Sequence, residues 1–133
     1  MVSTDLSKLR ELIVVPPGVA SARWLIRPLR PEGSRLVPGP MDTILIAYLE
    51  TSAKFWAEQA ASLPAVNGPS ERIRAADARA LLPAAVLASA PLSGDIYTLH
   101  CDAISPAAMN RSPQRAISAA RCGTGILVTF SAQ

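Results

Sequence analysis

The chain has 133 residues, of which 50% are hydrophobic and only 17% charged, against a typical charged share of about 25%. This balance excludes an intrinsically disordered chain, a coiled coil and an acidic or basic tail protein. With a formal net charge of +3, it predicts one α+β domain over residues 1–133 with a core of its own.

Ser3 or Thr4 can cap a short helix starting at Asp5, with Leu6, Leu9 and Ile13 at helical spacing, and Pro16-Pro17-Gly18 must end it. Lys8 and Arg10 before the apolar run Leu12–Val15, then Ala20-Ser21-Ala22, outline a secretory leader. Asp5, Glu11 and the Pro-Pro-Gly break spoil that pattern, so no leader is expected. Residues 21–27 alternate, with Ala22, Trp24 and Ile26 on one side and Arg23, Leu25 and Arg27 on the other. That is the pattern of a half-buried strand with Trp24 in the core. Pro28, Pro31, Gly33, Pro38, Gly39 and Pro40 make residues 28–40 a stiff irregular loop carrying Arg30 and Arg35.

Residues 40–63 form the longest predicted element, a central helix. Gly39 suits its N-cap, Pro40 its first position and Asp42 its dipole. Ile44, Leu45, Tyr48, Leu49, Ser52, Phe55 and Trp56 would give it a broad apolar face opposite a stripe of Glu50, Lys54 and Glu58. After Pro64 and the turn Asn67-Gly68-Pro69, Ser70 caps a helix from Glu71 to Leu82, and Ala84 to Ala90 continues as a short helical piece. Asp95 to Ala103 reads as a strand, Pro106 to Asn110 as a loop or single turn, and Ser112-Pro113 to Gly123 as the brackets of a further helix. Ile126 to Phe130 is a last, β-rich strand. The expected fold is a small, mainly antiparallel sheet with three to four helices, the longest, about 40–63, at its centre. Trp24, Leu45, Leu49, Trp56 and Leu99 are its expected buried residues.

Residues that could carry chemistry are few. His100 is the one histidine, and on a strand it would share a face with Asp102, the spacing of a carboxylate-oriented imidazole or of two metal ligands. Cys122 could join them only through the fold. Nothing supplies a third ligand at recognisable spacing, and a solvated strand face is the plainer reading. Cys101 and Cys122 are read as buried thiols of a cytoplasmic protein, or of a cytoplasmically assembled particle, with one disulfide between them as the minority reading. Gly123-Thr124-Gly125 runs from helix to strand, the reverse of a phosphate loop, and reads as a helix C-cap and turn. No Walker motif, HExxH, GxSxG or CxxC pair is present, and no cofactor or metal is expected. No stretch approaches 18 uninterrupted apolar residues, so no membrane span is expected.

The leading functional expectation is a non-enzymatic assembly or adaptor subunit, such as an oligomeric component or a viral or phage structural protein, bound to itself or to another chain. A positive mean hydropathy of +0.26 with few charges predicts exposed apolar surface in a chain of this size. The expected contact residues are Leu29, Leu36 and Val37 in the proline-rich loop, and Leu81, Leu82, Val86, Leu87 and Leu92. A small enzyme or small-molecule binder using His100 and Asp102 is one alternative. A nucleic-acid module gripping phosphate with Arg23, Arg27, Arg30 and Arg35 is another, ranked below a protein partner because Glu32 interrupts the run and Trp24 is its one aromatic. Arginine outnumbers lysine 11 to 2, which, with the abundant alanine, is a mark of a GC-rich genome.

Overall fold

The segment Thr43–Glu50 is a β-strand, β2, in the computed structural model of the protein, which describes residues 2–28, 43–59, 61–67 and 71–132. This corrects the long central helix expected over 40–63. Leu45, Ala47 and Leu49 are buried on one side of β2 and Ile46 and Tyr48 on the other. A strand covered on both faces is a continuous apolar run, and such a run satisfies helical spacing as readily as strand burial. The helical character begins only at α2, Ala53–Gln59.

The architecture is dominated by antiparallel β-structure. A five-stranded sheet runs in the order β1 (Ser21–Pro28), β2, β8 (Gly125–Ala132), β7 (Arg115–Cys122), β6 (Asp102–Ala103). A three-stranded sheet runs in the order β3 (Glu71–Arg74), β5 (Ile96–Leu99), β4 (Leu92–Ser93). Three further α-helices, α1 (Leu6–Leu12), α3 (Ala75–Leu81) and α4 (Ala84–Ala88), and a single 3₁₀ turn at Ala107–Met109 complete the described chain. The protein is thus α+β with antiparallel sheets, but the sheets rather than a central helix organise it. None of the described helices is long and apolar enough to cross a membrane.

Each face of the large sheet has its own core. On one face, Trp24, Leu45, Leu49, Ile126, Val128 and Phe130 pack with Leu9 of α1 and with Phe55 and Trp56 of α2. On the other, Leu25, Ile46, Tyr48 and Leu127 pack with Ile73, Tyr97 and Leu99 of the small sheet and with Ala78 and Leu81 of α3. Trp24, Leu45, Leu49, Trp56 and Leu99 are all buried, as their positions in the sequence predict. Ile26, expected to follow Trp24 inward, is 42% exposed near the end of the edge strand. The cap of α1 is Asp5 rather than Ser3 or Thr4, its carboxylate accepting from the Lys8 amide at 3.0 Å.

Two more expected helices are corrected. The segment expected to be helical between Ser112-Pro113 and Gly123 contains β7. Alanine favours helix intrinsically, but Ala119 and Ala120 here serve opposite faces of the sheet, each buried in a different core. The residues read as a helix C-cap, Gly123 and Thr124, instead turn β7 into β8, and Gly123 has a φ of +60°. At Gly125 a Cβ would stand 2.5 Å from Tyr48 Cζ and 2.6 Å from the Leu49 carbonyl oxygen, so the ring can lie against this strand only over a glycine. The Tyr48 hydroxyl donates to the Cys122 carbonyl at 2.9 Å, and burial, helped by Glu50, pushes its pKa up.

The helix expected from Glu71 is strand for its first four residues and becomes α3 at Ala75. Burial raises the Glu71 carboxyl above the usual glutamate value of 4.5, against a smaller opposing effect of its hydrogen bond with Ser118. The folded chain therefore holds this proton more tightly than the unfolded chain, and stability falls as pH rises from that usual value through the raised one. Glu71→Gln is expected to be more stable than wild type at neutral pH, with the difference closing in acid. Urea unfolding at both pH values checks this, and a variant less stable than wild type at neutral pH would contradict it.

Candidate functional site

At the β6 side of the large sheet, three elements meet around a cleft of about 360 Å³ lined by Trp56, Leu63, Val66, Asp102, Ile104 and Arg121, among others. Trp56 comes from α2, whose first turn is held by the Ser52 hydroxyl accepting from the Phe55 amide at 3.2 Å. Phe55 and Trp56 meet edge to face, with ring centroids 5.2 Å apart. That contact helps fix the indole as one wall of the cleft. Arg121 and Asp102 are register partners in the β6–β7 pair, which places them side by side on one face. The Arg121 guanidinium lies 4.4 Å from the centre of the Trp56 ring, a cation–π stack. Leu63, Val66 and Ile104 supply apolar wall, and the backbone beside them is held where Val66 donates to Ala103 and Ser105 to Pro64.

Polar satisfaction here is incomplete. The indole Nε1 of Trp56 is buried and has no hydrogen-bond partner. Trp24 differs, its Nε1 donating to the Asp5 carbonyl at 3.1 Å. Neither Arg121 nor Asp102 takes part in any ion pair or side-chain hydrogen bond found among the described residues.

His100 and Asp102 do not share a strand face. The chain leaves the small sheet at Leu99 and enters the large one at Asp102, so the two-residue spacing spans a change of sheet. His100 lines a separate pocket of about 210 Å³ with Val86, Ser89, Leu99 and Gly123. Cys101, at the same joint, is bonded to Cys122 at the end of β7. This corrects the expectation of two free thiols, and it ties the crossover between the sheets to the β7–β8 hairpin. No group of three or more potential metal ligands is found among the described residues.

Of the four arginines considered for phosphate, Arg30 and Arg35 lie outside the described residues. Arg23 sits 3.6 Å from Glu50, and Arg27 Nη2 sits 3.1 Å from Asp77 Oδ2, a charge contact without hydrogen-bond alignment. Both are therefore compensated by carboxylates. Among the expected interface residues, Leu29, Leu36 and Val37 also lie outside the described residues. Leu81 and Leu82 are buried in the chain's own second core, and Val86 and Leu87 pack partly against it. Leu92 stands 46% exposed on β4.

Sequence reasoning did not single out the Trp56–Arg121–Asp102 group. It placed Trp56 and Arg121 on two helices, and the pairing that joins Asp102 to Arg121 is a strand register with no local motif to announce it. Comparison with protein-family models, with curated proteins and with solved structures found no match.

Proposed function

We propose that the chain is a non-enzymatic assembly subunit whose partner is a second copy of itself, bound through the margins of its sheets. The observation that supports this reading is the placement of exposed apolar side chains. Ile26 on β1, Leu92 on β4 and Ile117 on β7 are 42%, 46% and 58% exposed, respectively. Among the described residues, β1 is the outermost strand of the large sheet, met on its outer side only by Ser3 at Trp24, and β4 is an outer strand of the small one, while β6 pairs only with the Ala120–Arg121 part of β7 and leaves the Ile117 end without a strand neighbour, the Ala116 amide there being bonded to the Asn110 side chain. Strand margins carry free backbone donors and acceptors, and proteins that remain monomeric usually blunt them with charge, proline or covering loops. Antiparallel margins are also self-complementary across a two-fold axis. Paired with an apolar side chain, such a margin favours addition of a strand from another chain.

Size-exclusion chromatography with light scattering, run on wild type and on the double variant Ile117→Lys with Leu92→Lys, tests which margins are used. The double variant is expected to show a lower mass with an unchanged circular-dichroism spectrum. An associated wild type whose mass survives both substitutions would exclude these two margins as the contact.

A further inference from the structure

We infer that the cleft beside β6 binds a free apolar α-amino acid as its zwitterion. The argument rests on three independent features of the cleft. Arg121 and Asp102 carry opposite charges on register-paired positions, and neither is paired among the described residues. A plain anion would be repelled by Asp102 and a plain cation by Arg121. A ligand with a carboxylate and an ammonium group on one carbon complements both, since each group then meets an opposite charge through charge-assisted hydrogen bonds.

The second feature is the indole. Trp56 is 8% exposed, forms a wall of the cleft, and its Nε1 is a buried donor without an acceptor. A buried unpaired donor is costly, and a ligand carboxylate oxygen is an acceptor of the kind it lacks. Arg121, its guanidinium 4.4 Å from the centre of the same ring, makes no side-chain hydrogen bond among the described residues, so its N–H groups remain available to a ligand.

The third feature is size and polarity. Leu63, Val66 and Ile104 face the remaining space with apolar side chains, and the volume of about 360 Å³ lies at the small end of the roughly 300–1,000 Å³ range of small-molecule sites. An apolar amino-acid side chain fits such walls, whereas a polar one would lose hydration there without replacement hydrogen bonds. The cleft is distinct from the strand margins invoked for assembly, so either reading can fail without the other.

The test is a titration of ¹⁵N-labelled full-length protein with L-phenylalanine and L-leucine, followed at the indole N–H signals. Trp24, whose indole is already bonded to Asp5, is the internal reference. Saturable displacement of the Trp56 signal alone is expected. N-acetyl-phenylalanine, lacking the ammonium, and phenylalanine amide, lacking the carboxylate, are each expected to bind at least tenfold more weakly. A peptide terminus carries only one of the two charges, so preference for either blocked form would assign the cleft to a chain end and overturn the proposal. Asp102→Asn should erase the discrimination against the acetylated form, and Arg121→Gln that against the amide. The spectra themselves report whether each variant folds, and the blocked ligands decide the matter on wild type if one does not. No displacement of the Trp56 signal by millimolar free amino acid, or equal binding of free and blocked forms, would overturn the inference.

Discussion

Replacing Leu49 by alanine is expected to cost about 2–5 kcal/mol of folding stability. Leu49 has no exposed surface and lies on β2, which is bonded along its whole length to β1 on one side and to β8 on the other. Its register partners are Ala22 and Ile126, both buried in the same core. Truncation removes buried methyl groups, and the two ladders restrain the backbone from collapsing into the space left behind. That restraint places the loss in the upper part of the range usual for leucine in a core. Guanidinium unfolding followed by circular dichroism checks the value. A loss below about 1 kcal/mol would mean that β2 is not the doubly covered centre of the sheet.

The second large effect is expected at the joint between the sheets. The Cys101–Cys122 bond closes a segment with a sequence separation of 21, and loop-closure entropy for a segment of that length amounts to about 3 kcal/mol. The double variant Cys101→Ala with Cys122→Ala is therefore expected to lose about that much relative to the oxidised protein. The loss should have a location as well as a size. Cys101 follows β5, the middle strand of the small sheet, so amide exchange in β3, β4 and β5 should accelerate more than in β2 and β8. Stability equal to that of oxidised wild type, with unchanged exchange in the small sheet, would show that the bond does not hold the two sheets together.

Parts of this structure were legible in the sequence, and the reasons divide by range. Strand β1 was readable because Arg23 and Arg27 alternate with the buried Ala22 and Trp24, although the alternation fails at Leu25, which is buried, and at Ile26, which is exposed. β8 was readable from Ile-Leu-Val-Thr-Phe, a run of β-favouring residues. α1 was readable from its leucine spacing and the proline stop, though its cap is Asp5, one residue beyond Thr4 and two beyond Ser3. β2 was misread because burial on both faces erases alternation, and Ile44, Leu45, Tyr48 and Leu49 then imitate a helical stripe. β7 was misread because its alanines answer to tight packing between layers, which local propensity does not register. The His100–Asp102 pair failed for a related reason, since a strand reading cannot foresee a change of sheet between two neighbours. The cleft at Trp56 depends on a β6–β7 register and on the seating of α2, both long-range, and its members are separated in sequence by tens of residues.

The assembly reading is tested most directly by the mass of the wild-type chain in solution. Sedimentation velocity over a wide concentration series should show a species of at least twice the 14.0 kDa of one chain at the upper end, dissociating on dilution. A single 14.0 kDa species at every concentration would contradict the account.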